Sequence, residues 1–267
     1  MENQVLFAFG LALFAALAMG IGSLLAFVIR RDQTQWLSLG LGFSGGVMLY
    51  VALMDLLPEA VEALSEFDDI NPYLWGLGAF VVGMVCYALL EGLVLHGAHS
   101  HAVHPAEQGK EGRQLKIAKM GFLAAISIAG HNIVEGMAIF MGGIQGVDTG
   151  LAIASAVALH NIPVGIAVAI PLYLTTGSRW KAFLLSMAVG MGEFVGALLA
   201  YFLLYPWLTD QSLAVLFAIV AGMMVMITLD EILPAAQEYG QSRWVMYGII
   251  LGMSVFAMLS VVLGHHH

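Results

Sequence analysis

The stretch HNIVEGMAIF (residues 131–140) and its partial copy HNIPVGIAVA (residues 160–169) place polar side chains in the middle of long apolar runs. Each run is long enough to cross a bilayer as a helix, for which about 20 apolar residues suffice. A polar side chain in such a span is costly to insert, so it is a candidate functional residue. The two stretches therefore predict a membrane protein whose function depends on groups buried in its middle.

The composition of the whole chain agrees with a membrane location. Of its 267 residues, 60% are hydrophobic and 10% are charged, and the mean hydropathy is +0.90, whereas a soluble domain carries roughly 25% charged residues. The apolar runs lack the alternation of barrel strands, so they predict helices. The single cysteine, Cys86, excludes a disulfide framework within the chain. No basic patch with interleaved aromatics is present, so we expect no nucleic-acid partner.

Eight apolar runs predict eight transmembrane helices. Their approximate bounds are 5–29, 37–60, 73–95, 118–141, 150–173, 182–204, 212–236 and 244–264. All nine Lys and Arg residues fall in or beside the odd-numbered loops between these runs. Because cytoplasmic loops collect Lys and Arg, we expect the odd loops to face the cytoplasm and both termini to lie outside it.

A single transport domain, residues 1–264, is the predicted organisation of the chain. Its third loop, about residues 96–117, is predicted to be cytoplasmic and carries the histidines His96, His99, His101 and His104. This loop is either a solvated linker or a weak, flexible collector of metal ions. We interpret the final histidines, residues 265–267, as the remnant of a purification tag.

Helices one to three resemble helices six to eight. Three pairs of segments align: GVMLYVALMDLLPEA (46–60) with GMMVMITLDEILPAA (222–236), AMGIGSLLA (18–26) with AVGMGEFVGALLA (188–200), and GMVCYALL (83–90) with GMSVFAML (252–259). The distribution of Lys and Arg makes the two sets run in opposite directions. The fold class predicted is thus an all-α membrane bundle with inverted repeats around central helices four and five, a pattern typical of transporters with a midplane site.

The polar residues of helices four and five form a candidate metal site. His131 and Glu135 lie four residues apart and so share one helical face, and His160 repeats the histidine on helix five. Imidazole nitrogen and carboxylate oxygen are ligands that zinc, iron, manganese and cobalt accept. Three such ligands leave coordination positions open, which suits an ion that must bind and then leave.

A second, harder candidate site lies beside the first, with Glu135 able to bridge the two. Its oxygen ligands come from Asn132, Asn161 and Glu193. Met48, whose position recurs at Met224 in the repeat, is a candidate thioether ligand. Three acidic residues near helix ends either guard a vestibule or are simply solvated: Asp55, Asp230 and Glu231.

These motifs resemble those of the ZIP family of divalent metal transporters. HNIVEGMA and HNIPVGIAVAIP resemble its helix-four and helix-five motifs, and GMGEFVGALLA and LMDLLPEA resemble neighbouring motifs of its bacterial zinc-uptake branch. The resemblance covers essentially the whole chain. It implies uptake of zinc, and often of iron, manganese, cobalt or cadmium, across the bacterial inner membrane, with the metal as substrate and no organic cofactor. It also implies a lipid-embedded homodimer with an elevator-like or rocking motion.

Carried over by motif, the resemblance implies a first site of His131, Glu135 and His160 with Met48 as an optional ligand. It implies a second site that shares Glu135 and is otherwise formed by Asn132, Asn161 and Glu193. The chain departs from the family pattern His-Asn-x-Pro-Glu-Gly, because Val164 stands where the glutamate is expected. This departure removes a bridging carboxylate and one negative charge.

Two other functions would use similar residues. An intramembrane zinc hydrolase also gathers histidines and carboxylates within spans, but it usually shows a His-Glu-x-x-His motif, which this sequence lacks. A metal-gated channel or sensor would use the same site. The inverted repeats favour a carrier, which is not an enzyme.

Overall fold

The structure, a computed structural model, describes residues 2–28, 34–99, 110–207, 209–239 and 242–262. This part of the chain is almost entirely helical and contains no β-strand. Its helices group into eight, numbered in chain order: α1 (Glu2–Leu25), α2 (residues 34–64), α3 (Pro72–His99), α4 (Lys110–Gln145), α5 (Val147–Thr176), α6 (residues 179–207), α7 (residues 210–239) and α8 (Ser242–Val262).

Three of the helices contain a π-helical stretch. In α2 the stretch lies between the α-helical segments Thr34–Tyr50 and Leu57–Leu64. In α6 it follows the α-helical segments Arg179–Gly190 and Gly192–Leu199 and precedes the 3₁₀ turn Tyr205–Trp207. In α7 it lies between the α-helical segments Asp210–Ile227 and Leu233–Tyr239. The π-helical residues are Val51–Leu56, Ala200–Leu204 and Thr228–Ile232. In α2 and α7 the stretch comes just before a proline, Pro58 or Pro234, whose missing N–H disturbs the α-helical ladder.

Seven of the helices are long and apolar enough to cross a membrane, as judged over the described residues. They are α1, α2, α3, α5, α6, α7 and α8. Large apolar side chains such as Leu74, Ile250 and Met258 are exposed. The chain is an integral membrane protein whose outer faces suit lipid chains.

The helices pack as two bundles. The first bundle consists of α1, α4, α5 and α6, and the second bundle consists of α2, α3, α7 and α8. Within them the most extensive contacts are α1 with α5, α4 with α5 and α6, α2 with α7 and α8, and α3 with α7. The main contact between the bundles is α2 against α5, with a smaller one between α4 and α7.

Glycines allow the closest helix pairs in both bundles to touch backbone to backbone. A Cβ added at any of these positions would overlap the carbonyl of the neighbouring helix. In the first bundle the contacts are Gly22 to Ile162, Gly165 to Met19, Gly136 to Glu193 and Gly196 to Ile133. In the second bundle they are Gly46 to Ile249, Gly252 to Phe43, Gly83 to Ile219 and Gly222 to Phe80. Small residues serve this role in membrane helix packing, so we expect each of these pairs to move as a unit.

The turn between α5 and α6 follows directly from its sequence. Gly177 has a φ of 65°, the left-handed conformation that ends a helix, and its N–H donates to the carbonyl of Tyr173. Ser178 then caps α6, where its side chain accepts from the N–H of Lys181. A sharp turn of this kind keeps α5 and α6 antiparallel and adjacent.

The third loop is shorter in the structure than the apolar runs predict. α3 continues to His99 and α4 already begins at Lys110. At the start of α4, Lys110, Glu111, Arg113 and Gln114 are good helix formers. His101 and His104 lie outside the described residues, as do residues 265–267. The metal-collecting role of the histidines in this loop stays a prediction.

Candidate metal site

His131, Glu135 and His160 come together between α4 and α5. One ligand atom of each lies within 4.8 Å of the others. Nε2 of His160 is 3.0 Å from Oε1 of Glu135, and Nε2 of His131 is 3.9 Å from Oε2 of the same carboxylate. Ligands held about 2.1 Å from one zinc ion in tetrahedral geometry lie about 3.4 Å from each other. The three side chains are therefore spaced to hold a single cation.

Helix geometry presents these groups to one point. His131 and Glu135 stand one turn apart on α4. On α5, Nδ1 of His160 lies 3.2 Å from the carbonyl of Ala156, so the tautomer protonated at Nδ1 donates there and leaves Nε2 free to bind a metal. The hydroxyl of Ser44 on α2 donates to the carbonyl of His160 over 3.1 Å, which ties the second bundle to the site.

The amides of Asn132 and Asn161 are fixed through their nitrogen atoms. Nδ2 of Asn132 donates to the carbonyl of Val189 over 3.0 Å. Nδ2 of Asn161 donates to the carbonyl of Ala15 over 3.0 Å and also to Oε1 of Glu193. All of these side chains are buried. Their oxygens, Oδ1 of both asparagines and Oε2 of Glu193, have no hydrogen-bond partner among the described residues.

Buried polar atoms without a hydrogen bond concentrate at this site. Within the described ranges, all but two such side-chain atoms, the hydroxyls of Ser38 and Ser260, belong to the six polar residues of the site: His131, Asn132, Glu135, His160, Asn161 and Glu193. Leaving a buried polar atom unpaired costs about 1–3 kcal/mol. A group of buried polar atoms without hydrogen bonds in one place is explained by an ion that these atoms would coordinate.

Glu231 also reaches the site, which the sequence did not reveal. Its Oε2 lies 3.6 Å from Nδ1 of His131, and its Oε1 accepts a hydrogen bond of 2.5 Å from the hydroxyl of Tyr87. The only signal in the sequence was a carboxylate inside a predicted span, which is a functional candidate by default. Sequence reasoning took Glu231 instead as either a residue that guards a vestibule or a solvated one.

Met48 and Val164 are both buried beside the site residues. Met48 lies one helical turn after Ser44, which puts it on the side of α2 that faces α5. Val164 lies one turn after His160 on α5 and is 1% exposed. The structure thus places the valine on the face of α5 that carries His160.

Asp55 lies apart from these groups. It lines a cavity of about 310 Å³ between α2 and the α4–α5 turn, together with further acidic side chains: Glu59, Glu62 and Glu66. Across this cavity the hydroxyl of Thr149 donates to Glu59 over 3.3 Å. This placement is compatible with both predicted roles of Asp55, a guard of a vestibule and a solvated acid.

Comparison with known proteins agrees with the motifs. A family model described as ZIP zinc transporter matches residues 5–116 and 95–260. The chain is 46% identical to the zinc transporter ZupT of Lysinibacillus sphaericus, over 98% of this chain and 100% of that protein. It is 42% identical to the zinc transporter ZupT of Chlorobaculum parvum, over 97% and 98% of the two chains. The zinc transporter ZupT of Streptococcus mutans is 39% identical, with the same shares covered.

Proposed function

The chain belongs to the ZIP zinc transporter family, and from this premise we propose that it carries zinc and related divalent cations across a bacterial inner membrane into the cytoplasm. The metal is the substrate of a transporter, not the cofactor of an enzyme. The observation that carries the proposal is the convergence of two imidazoles and one carboxylate on a buried point between α4 and α5.

We assign the first metal site to His131, Glu135 and His160, with Met48 approaching from the second bundle. Two imidazoles and one carboxylate leave a coordination position for water or for a passing ligand. An ion held in this way can be released, whereas a closed four-ligand cage would retain it. Iron, manganese, cobalt and cadmium accept the same donor set, and zinc is the metal named for the relatives.

We assign a second site to Asn132, Asn161 and Glu193, with Glu135 as the bridging carboxylate. The support for it is the set of buried oxygens that lack donors in the described part of the chain. Oxygen ligands suit a harder cation than the first site does. With valine at position 164, this site has one carboxylate fewer than the family pattern. We therefore expect the second site to bind its ion more weakly than the first site does.

We further propose eight transmembrane spans, with α4 as the eighth, both termini outside the cytoplasm, and inverted repeats. The glycine contacts support the repeats, because equivalent positions in the sequence alignment make equivalent contacts. The contact of Gly46 with Ile249 corresponds to that of Gly222 with Phe80. The contact of Gly252 with Phe43 corresponds to that of Gly83 with Ile219. In a Cys86→Ala background, Glu66→Cys should react with an impermeant thiol reagent from outside the cell and Arg179→Cys only after lysis. The reverse pattern would overturn this orientation.

An elevator-like motion and a homodimer complete the proposal. Apart from Met48, the assigned ligands all belong to the first bundle, whose helices are locked by glycine contacts. The bundle that carries the ion can therefore move as a unit past the second bundle. The homodimer rests on the family resemblance.

Zinc flux into proteoliposomes tests the proposed function. A carrier predicts uptake that saturates with zinc concentration and produces no ohmic current. Unsaturable ohmic current would support the metal-gated channel instead, and the absence of flux would contradict both. His131→Ala is the matched variant, since it removes one ligand and leaves the remaining helix surface unchanged.

Restoring the family carboxylate should strengthen metal binding. Because Val164 shares a face of α5 with His160, we expect Val164→Glu to tighten zinc binding about tenfold through the added charge in a low-dielectric site. The metal-free variant should be less stable than the parent, because a further acid is then buried near Glu135 and Glu193. Calorimetric titration with zinc measures the first effect. Equal affinities would show that position 164 does not face the ion.

A further inference from the structure

The imidazole of His131 meets a carboxylate on each side. Its Nε2 faces Glu135 within the proposed site, and its Nδ1 faces Oε2 of Glu231 at 3.6 Å, just beyond hydrogen-bond length. Nδ1 is buried and has no hydrogen bond within the described residues. A histidine that binds metal through one nitrogen usually donates its other N–H to a carboxylate or carbonyl. Glu231 is the group placed to accept from His131.

Tyr87 holds that carboxylate in place. Its hydroxyl donates to Oε1 of Glu231 over 2.5 Å, and its side chain is 7% exposed. Tyr87 lies on α3 and Glu231 on α7, and the glycine contacts of Gly83 and Gly222 lock these two helices together. Since one oxygen of Glu231 is fixed by the tyrosine, the other oxygen is turned toward His131.

The repeat shows that the hydroxyl is not needed for packing. In the alignment of residues 83–90 with 252–259, Tyr87 corresponds to Phe256. Phe256 is fully buried in the equivalent helix. The same position therefore accommodates an aromatic ring without a hydroxyl, and the hydroxyl is added only where the neighbouring acid faces the histidine ligand.

We propose that Tyr87 is a positioning residue for the metal site, acting through the chain Tyr87–Glu231–His131. The hydroxyl fixes the carboxylate of Glu231, which orients the imidazole so that Nε2 faces the cation. This role rests on the proposed function, because it presumes that His131 binds the transported metal. It also means that a ligand of the first bundle is oriented from the second bundle, so its orientation depends on how the two bundles sit against each other.

The test compares Tyr87→Phe with the parent protein in a cobalt(II) titration followed by visible absorption, and in zinc uptake. The absorption that disappears in His131→Ala defines the signal of the site. We expect Tyr87→Phe to weaken cobalt binding at this site about tenfold, within the range seen for partners of metal ligands, and to shift the absorption bands. The KM for zinc should rise by a similar factor. Tyr50→Phe, which alters a tyrosine packed against Phe256, should leave binding and bands unchanged.

A double-variant cycle separates positioning from packing. If Tyr87 acts through the carboxylate, Tyr87→Phe should add nothing to the loss caused by Glu231→Gln, whereas independent structural losses would add. The proposal would be overturned if Tyr87→Phe kept the cobalt affinity and the absorption bands of the parent protein. It would also be overturned if the losses caused by Tyr87→Phe and Glu231→Gln were additive. If His131→Ala itself leaves uptake and cobalt binding intact, the proposed function fails, and this result differs from a failure confined to Tyr87.

Discussion

Replacing Glu135 by glutamine should reduce zinc uptake to the background of empty liposomes and weaken zinc binding at least about 100-fold. Glu135 supplies the only carboxylate of the three-ligand cluster, and both of its oxygens lie between the two histidines. Attraction between a dication and a carboxylate is strong in a buried, low-dielectric site. Glutamine has nearly the same shape, so the loss reports the charge and not a cavity.

Uptake and calorimetry, measured on the same preparations, check the prediction for Glu135. Asp69→Asn is the matched control, because Asp69 is exposed in the loop after α2 and the same carboxylate-to-amide change there should leave uptake unchanged. The melting temperature without metal should stay close to that of the parent. Uptake above half the parental rate in Glu135→Gln would show that this carboxylate is not a ligand.

Gly136→Ala should destabilise the first bundle and abolish uptake, whereas Gly130→Ala on the same helix should do neither. A Cβ at position 136 would overlap the backbone of Glu193 on α6, while a Cβ at position 130 meets nothing within 4 Å. The backbone of α6 cannot rotate away as a side chain would, so α4 has to move. Overpacking of this kind costs about 1–3 kcal/mol.

The shift of α4 explains why function is lost together with stability. Glu135 immediately precedes Gly136, and Glu193 makes the hydrogen bond with Asn161, so both proposed metal sites would be displaced. Thermal unfolding in detergent and zinc uptake measure the two effects. Gly130→Ala should be neutral or slightly stabilising, because alanine favours helix by about 1 kcal/mol over glycine. Equal behaviour of the two variants would contradict the packing described for α4 and α6.

The membrane helices and the three-ligand cluster were predictable from the sequence because both depend on local rules. Apolar length specifies a span, and a spacing of four residues puts His131 and Glu135 on one face of α4. The repeated His-Asn pair extended that reasoning to His160 on α5. The convergence of these three residues in the structure agrees with the predicted cluster.

Glu231 could not be assigned from the sequence for two physical reasons. Its contact with His131 depends on how α7 packs against α4, which no local pattern specifies. It also lies in the π-helical stretch Thr228–Ile232, where a wider turn rotates the following side chains away from the face that α-helical spacing predicts. Tyr87 was missed for the same reason, since its role is defined only by its distance to Glu231.

The length of the third loop was overestimated because apolar content locates the membrane segment and not the end of the helix. The polar segment that begins at Lys110 continues into α4 as helix. Seven of the helices satisfy the length and hydropathy of a span over the described residues, and α4 carries the polar residues of the site.

Anomalous diffraction at the zinc absorption edge, from crystals of the protein grown with zinc, tests the central claim most directly. The account predicts a peak about 2.0–2.2 Å from Nε2 of His131, a carboxylate oxygen of Glu135 and Nε2 of His160. Anomalous peaks at other positions in the same crystals, with no peak near these three side chains, would contradict the account.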